Sequence, residues 1–172
     1  MTWSEGKIAR AIALQTLARK CVVLVDNCNW TGHECDVLAV TTDLRIIDVE
    51  VKISRADLKA DAKKDKWWTR LSYAEAQRRG VDMWSRGDAR QRPPKVWKHY
   101  YAMPADIWKP ELLDCLPSSA SGVLLLREQR NSTTPLAVYV ERRATPAKDA
   151  YRLKPEQVMD IARLANLRMW HA

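Results

Sequence analysis

The clearest pattern along this chain is an alternation of apolar and ionisable side chains over residues 46–53, IIDVEVKI. Successive side chains of a β-strand point to opposite faces, so residues two apart share a face. Ile47, Val49, Val51 and Ile53 would then line one face of a strand, and Asp48, Glu50 and Lys52 the other. The pattern predicts a strand that carries three ionisable groups in a segment rich in β-branched residues.

A second apolar run, residues 37–40, precedes this strand and is separated from it by a Thr-Thr-Asp turn at residues 41–43. Two such runs joined by a short polar turn are typical of a β-hairpin. Asp36 stands at the head of the first strand. We therefore expect the hairpin to bring Asp36 close to Glu50.

The remaining elements predict an α/β domain with a mixed central sheet flanked by helices. Ser4 is a suitable cap for a first helix, and Pro155 is a suitable first residue for a closing amphipathic helix that ends near Trp170. The other predicted elements are a first helix over 5–19, strands over 21–25, 122–127 and 136–141, a polar turn over 26–32, a short helix over 106–116 and a turn over 131–135. A chain of 172 residues with 47% hydrophobic residues is suited to a single domain, residues 1–172.

The hairpin chemistry points to a divalent cation. Two neighbouring carboxylates repel each other, and each tends to stay protonated unless a cation neutralises them. Oxygen ligands of this kind suit Mg²⁺ or Mn²⁺. Lys52 would face a reacting phosphate as a positive charge, an arrangement typical of a metal-dependent phosphodiesterase.

These residues resemble the PD-(D/E)XK nuclease superfamily. Asp36 is followed after thirteen residues by Glu50-Val51-Lys52, then by the helix-like run 53–61, by Lys66-Trp67 and by HYYAMP at 99–104. In this order they are most similar to the MmcB-like DNA-repair proteins, over residues 4–126. The chain departs from the pattern in having Cys35 before Asp36 instead of proline, and a long segment after Lys66-Trp67.

The resemblance implies a restriction-endonuclease-like αβββαβ core. It also implies that Asp36 and Glu50 are ligands of Mg²⁺ or Mn²⁺, that Lys52 is the catalytic lysine, and that Glu5 is the acid many members carry on the first helix.

Charge adds a separate indication. The net charge is +8, and residues 52–98 contain fourteen Lys or Arg against six Asp or Glu, whereas the rest of the chain balances. We interpret residues 69–95 as a basic, Trp-rich insertion, helical over 71–79, that contacts nucleic acid. The candidate nucleic-acid contacts are Arg55, Lys59, Lys66, Trp67, Arg70, Arg78, Arg79, Arg86, Arg90 and Arg92. The alternative is a solvated basic loop with packed tryptophans, in which at least one of Trp67 and Trp68 is buried. Trp84 and Trp97 are the candidates for base stacking.

The four cysteines form no Cys-x-x-Cys pair and have no histidine at a familiar zinc-site spacing. We therefore expect reduced thiols and structural histidines, with His33 close to Asp36.

The resulting hypothesis is a Mg²⁺- or Mn²⁺-dependent DNA endonuclease of DNA repair or recombination. One alternative is a non-catalytic nucleic-acid-binding accessory protein with the same fold. Another is a Holliday-junction resolvase, which would require a homodimer. Neither a membrane-spanning stretch nor a signal-peptide core is visible, so we expect a cytoplasmic protein without a membrane partner.

Overall fold

The computed structural model describes residues 2–129 and 135–171, and a six-stranded mixed sheet lies at its centre. The strands are β1 (Cys21–Cys28), β2 (Cys35–Thr41), β3 (Ile46–Val51), β4 (Trp68–Arg70), β5 (Arg86–Ala89), β6 (Val96–Pro104), β7 (Gly122–Glu128) and β8 (Leu136–Arg142). The central sheet has the order β1-β2-β3-β6-β7-β8, and β4 and β5 pair separately as an antiparallel ribbon.

The helices are α1 (Glu5–Ile12), α2 (Arg55–Asp61), α3 (Tyr73–Arg79) and α4 (Pro155–His171). A π-helical turn (Ala13–Leu17) continues α1, and 3-10 turns occupy Asp65–Trp67 and Pro110–Cys115. Serine caps begin the first three helices: the Ser4, Ser54 and Ser72 hydroxyls each accept a hydrogen bond from a backbone N–H three residues on. Capping of this kind satisfies N–H groups that have no partner inside the helix.

The chain direction changes at β3. Strands β1, β2 and β3 form an antiparallel meander, whereas β3 and β6 run parallel, so the chain crosses over through α2 and the 69–95 insertion. Strand β7 is parallel to β6, and β8 returns antiparallel. The predicted mixed sheet flanked by helices is therefore confirmed.

The two faces of the sheet differ in polarity, as the alternation predicts. Val37, Val49 and Val51 pack with Ile8 and Ile12 of α1 in one apolar cluster. In the register of the other face, Leu38 pairs with Asp48 and Asp48 with His99, while Glu50 pairs with Tyr101. The charged groups of β3 thus lie on the face opposite α1.

Two apolar clusters lie on either side of these charges. One joins Leu38 and Val25 to Ile161 of α4, and the other joins Trp67 to Met103. Because both clusters exclude water, Asp48, Glu50 and Lys52 are at most 2% exposed.

The predicted elements differ from the structure mainly at their ends. The first helix is α-helical only to Ile12. Strand β1 continues to Cys28, because Asp26 pairs with Val37 and Cys28 with Cys35, so the start of the predicted polar turn over 26–32 is strand instead. The helix predicted over 106–116 is only a 3-10 turn, and most of the turn predicted over 131–135 lies outside the described residues. Among the described helices, none is long and apolar enough to cross a membrane.

Candidate functional site

Asp36 lies beside the end of β3. Its Oδ2 accepts a hydrogen bond from the Val51 backbone N–H at 2.6 Å. Partial burial and the neighbouring charge of Glu50 raise the pKa of Asp36 to about 6, and the charge of Glu5 acts in the same direction. The neighbouring carboxylates of Glu50 and Glu5 make a negative charge on Asp36 costly, and a nearby cation would lower that cost.

Glu50 is buried, and ammonium groups surround its carboxylate. Lys52 Nζ and Lys64 Nζ lie 3.1 Å and 3.4 Å from Glu50 Oε2, and Lys66 Nζ donates to Oε1. The side chains of Lys52 and Lys66 are 3% exposed, whereas that of Lys64 is 48% exposed. Lys64 is therefore the partner that can leave Glu50 most readily, because only its ammonium can regain water without a rearrangement of the core.

Asp61, at the end of α2, is the second carboxylate in this network. Its Oδ1 lies 3.3 Å from Lys52 Nζ and 3.0 Å from Lys64 Nζ. Its Oδ2 accepts hydrogen bonds from Trp67 Nε1 at 3.0 Å and from the Tyr101 hydroxyl. Although burial opposes ionisation, the charges of Lys66 and Lys52, with the hydrogen bonds from Tyr101 and Lys64, hold the pKa of Asp61 well below its usual range.

The same network fixes the protonation state of Lys52. Burial alone would lower the pKa of Lys52, but Glu50 and Asp61 outweigh it and raise the pKa above its ordinary value. Lys52 therefore remains an ammonium at neutral pH. Sequence reasoning gave Asp61 no role, although its spacing of three from Leu58 places both on one side of α2, where both are buried.

The structure thus brings together Asp36, Glu50 and Lys52, the three hairpin residues expected to act together. Glu5 is exposed on α1 and lines the same groove as Asp36. This groove, about 530 Å³ in volume, runs along the edge strand β1 between α1 and α4. Its charged lining residues are Glu5, Arg10, Asp26, Asp36 and Arg168.

Two of the predicted nucleic-acid contacts are wrong. Lys66 and Trp67 are 7% and 1% exposed, and they face Glu50 and Asp61 instead of solvent. Both lie in the 3-10 turn after α2, which packs onto the polar face of the sheet. Extending the helical pattern of α2 beyond Asp61 does not predict that Lys66 and Trp67 turn toward the sheet.

The other predicted contacts reach the surface to different degrees. Arg55, Lys59, Arg70, Arg78, Arg79 and Arg86 are exposed, and Arg90 and Arg92 are half-buried. Several already have partners: Arg79 pairs with Asp88, and Arg86 with Asp65. Of the aromatic candidates, Trp84 is 85% exposed, whereas Trp97 is half-buried, with Lys98 Nζ 4.3 Å from its ring centroid.

A polar cluster that sequence reasoning missed lies two residues along β3 from Glu50. His33 Nε2 is 3.1 Å from Asp48 Oδ2 and 3.6 Å from Cys35 Sγ. His33 and Cys35 are two residues apart, a spacing that the familiar zinc motifs do not use, so a search for those motifs does not find this cluster. Burial would raise the pKa of Asp48, but the His33 hydrogen bond and the charges of His99 and Lys66 outweigh it and lower that pKa.

Comparisons with known proteins bear on the fold alone. No protein-family model matches the chain, and no curated protein matches it. A solved structure of a protein of unknown function from Silicibacter pomeroyi is similar, with a TM-score of 0.56 and 19% sequence identity. The match covers 99% of this chain and 90% of that one. The similarity therefore extends over the mixed sheet and its helices.

Proposed function

We propose that the protein is a divalent-metal-dependent nuclease that acts on DNA. The observation that carries the proposal is the meeting of Asp36, Glu50 and the Lys52 ammonium at the end of the β2–β3 hairpin. Hydrolysis of a phosphodiester needs positive charge where negative charge develops on the phosphoryl oxygens. A buried lysine held between carboxylates meets part of that need.

The order of elements also supports the proposal. When the inserted β4, α3 and β5 are set aside, the order α1-β1-β2-β3-α2-β6, with β6 parallel to β3, resembles the αβββαβ arrangement of the PD-(D/E)XK superfamily. In sequence, Asp36 and Glu50-Val51-Lys52 resemble the superfamily motif. The resemblance to MmcB-like proteins extends the proposal to DNA repair or recombination.

The donor set fits Mg²⁺ or Mn²⁺ on one condition. Asp36 and Glu50 would hold the ion, and the raised pKa of Asp36 is what a cation would correct. Glu50 Oε2 loses one of its two ammonium partners when Lys64, which is half exposed, moves into solvent, and it then keeps only Lys52 at 3.1 Å. Such an ion would supply Lewis-acid stabilisation of the phosphate and a more acidic bound water.

The protein's own residues would position the DNA strand and stabilise negative charge on the phosphate. In the hydrolysis a water oxygen bonds to phosphorus and loses a proton, the ester P–O bond breaks, and the leaving oxygen takes up a proton. Lys52 stabilises negative charge on the phosphate, and Asp61, 3.3 Å from its Nζ, holds it in place. Glu5 and Asp36 line the groove in which the strand would lie.

The basic insertion would supply affinity for DNA. Arg70 and Arg78 are exposed, and the exposed indole of Trp84 is available for stacking on an unpaired base. Contacts of this kind depend on salt and do not require a divalent ion.

The decisive experiment incubates the protein with linear duplex, single-stranded and branched DNA, in Mg²⁺, in Mn²⁺ or in chelator. We expect cleavage only with a divalent ion, and a loss of at least about a hundredfold in rate for Asp36→Asn, because a few kcal/mol of charge stabilisation is removed. Asp26→Asn is the matched control, since Asp26 lines the same groove but makes only a 3.4 Å exposed pair with Arg168. Equal cleavage by both variants and the wild type would refute the proposal. Selective cleavage of the branched DNA by a dimer would identify a junction resolvase.

One observation favours a second candidate, a non-catalytic nucleic-acid-binding protein. Both oxygens of Glu50 already accept from lysines, which leaves the carboxylate neutralised without a metal. Binding to DNA that weakens with salt, is indifferent to Mg²⁺ and Mn²⁺, and yields no product would establish this function instead.

A further inference from the structure

The cluster around Asp48 joins nitrogen, sulfur and oxygen donors within bonding range of one point. The donor atoms of His33, Cys35 and Asp48 all lie within 4.8 Å of one another. Asp48 and Cys35 are fully buried, and the His33 side chain is 10% exposed. These residues come from the loop before β2, from β2 itself and from β3.

The histidine in this cluster has its Nε2 turned toward Asp48 and its Nδ1 toward a hydroxyl. The Thr31 hydroxyl donates to the His33 carbonyl oxygen at 3.0 Å, so it is free to accept from His33 Nδ1 at 3.1 Å. A hydrogen on Nδ1 leaves a lone pair on Nε2, which then faces the Asp48 carboxylate at 3.1 Å. Two acceptors at this distance repel unless a proton or a metal ion lies between them.

His99 repeats the arrangement from the neighbouring strand β6. Its Nδ1 lies 3.0 Å from the Ser121 hydroxyl, and its Nε2 lies 3.9 Å from Asp48 Oδ2. Histidine ligands of metals usually have the second ring nitrogen fixed in this way by a hydrogen-bond partner. Both imidazoles are therefore oriented as ligands toward Asp48.

Two buried atoms of the cluster have no hydrogen-bond partner among the described residues: Asp48 Oδ1 and His99 Nε2. Both side chains are 0% exposed. An unsatisfied polar atom in a protein interior is costly, and most such atoms find a partner. Two of them beside a thiol and a second imidazole indicate a missing ligand.

We propose that His33, Cys35, Asp48 and His99 bind one Zn²⁺ ion in a buried tetrahedral site. Ordinary Zn–N and Zn–S bond lengths place tetrahedral ligand atoms about 3.3–3.6 Å apart. The separations here are 3.1 Å between His33 and Asp48, 3.6 Å between His33 and Cys35, and 3.9 Å between His99 and Asp48. The His33, Cys35 and Asp48 donors already lie within 4.8 Å of one another, whereas His99 Nε2 is not that close to all three and would have to move toward them to complete the site.

The donor chemistry selects this ion over Mg²⁺. Imidazole and thiolate are ligands for zinc-like metals, whereas Mg²⁺ prefers oxygen alone. Binding releases the thiol proton of Cys35 to solvent, and the thiolate and the Asp48 carboxylate together balance the double positive charge. The site is then electrically neutral, as its burial requires.

A closed site of four protein ligands is structural, not catalytic. It would fasten the loop before β2 to the centre of the sheet and hold β3 in register beside Glu50. This inference does not rest on the proposed nuclease activity, because zinc binding is measured without DNA.

The test strips the full-length protein with chelator, supplies Zn²⁺ or Co²⁺, and measures bound metal and the Co²⁺ absorption spectrum. We expect one Zn²⁺ per chain and, with Co²⁺, tetrahedral bands accompanied by thiolate charge transfer. Cys35→Ala should abolish the charge-transfer band and lower Zn²⁺ affinity by more than the ~10–100-fold that loss of an outer-shell partner costs. Cys28→Ala is the matched control, because Cys28 is equally buried and pairs with Cys35 across β1 and β2 but is not a member of the cluster.

A second variant, His33→Gln, keeps the test decisive if Cys35→Ala does not fold, since His33 lies at the half-buried entrance of the cluster. His33→Gln should weaken Zn²⁺ binding, whereas Cys28→Ala should bind Zn²⁺ as the wild type does. Less than stoichiometric Zn²⁺ in the wild type, or Zn²⁺ binding that is unchanged in His33→Gln, would overturn the inference. Loss of the charge-transfer band in Cys28→Ala would overturn it as well.

Discussion

Asp61 is the residue whose removal should cost the most stability in the polar network. The change Asp61→Asn keeps the shape of the side chain but removes the charge that faces Lys52, Lys64 and Lys66, at 3.3, 3.0 and 3.9 Å. Lys52 and Lys66 are buried, so water cannot replace the lost partner. The amide can still accept from Trp67 or Tyr101, so the loss is mainly electrostatic.

The magnitude follows from the burial of the charges. Breaking a buried ion pair by removing one partner costs about 3–5 kcal/mol, because the other charge is left uncompensated. Lys64 adds little, since its side chain is 48% exposed and water can solvate it. In a protein of this length, such a loss lowers Tm by about 6–20 °C.

Equilibrium unfolding in denaturant measures this loss directly. Asp65→Asn is the matched control: it removes the same charge from a pair with Arg86, but the Asp65 side chain is 86% exposed. We expect the control to change the free energy of unfolding by less than about 1 kcal/mol. A loss below about 1 kcal/mol for Asp61→Asn would refute the view that Asp61 holds the buried lysines.

Two further predictions concern Asp36 and the glycines. Because the pKa of Asp36 is raised to about 6, its ionisation opposes folding: its contribution is most favourable below about pH 4 and is lost as pH rises to 6. Asp36→Asn should therefore gain stability relative to the wild type between pH 4 and pH 7, by up to about 2 kcal/mol in metal-free buffer. A difference in the free energy of unfolding between variant and wild type that stays constant over this pH range, measured in denaturant, would contradict this. Gly122→Ala should destabilise by about 1–3 kcal/mol, since an added Cβ would lie 2.4 Å from the Tyr100 ring. Gly6→Ala on α1, with nothing within 4 Å of the new Cβ, should stabilise the protein slightly. Calorimetry that finds Gly122→Ala more stable than Gly6→Ala would disprove the steric reasoning.

Several features of the candidate site were predictable from local pattern. The two-residue period of β3 separated Val49 from Glu50, and the short polar turn placed Asp36 near Glu50. Both depend on interactions within one hairpin, whose register is set by the turn and by the apolar face. The same reasoning failed at Lys66 and Trp67, because a side chain's exposure in an irregular turn depends on what the turn packs against.

The His33–Cys35–Asp48–His99 cluster was beyond the reach of the sequence for a related reason. Its first and last members, His33 and His99, are 66 positions apart, and His99 meets Asp48 only because β6 lies parallel to β3 after a long crossover. Spacing rules for metal sites describe ligands in one local motif and do not describe ligands joined by strand pairing. The unsatisfied state of Asp48 Oδ1 is likewise a property of packing alone.

By itself, the sequence determined most strands of the central sheet, the apolar and charged faces of β3, and the basic surplus that follows it, because backbone geometry imposes short periods on side-chain direction. Only the tertiary structure decided which charges lost their water and which partners met them. The burial of Glu50, Asp61 and Lys66 in one network, and the convergence of His99 on Asp48, arise from elements far apart in the chain that share one face of a sheet. Electrostatic and metal-binding strength depend on that burial, and no local pattern encodes it.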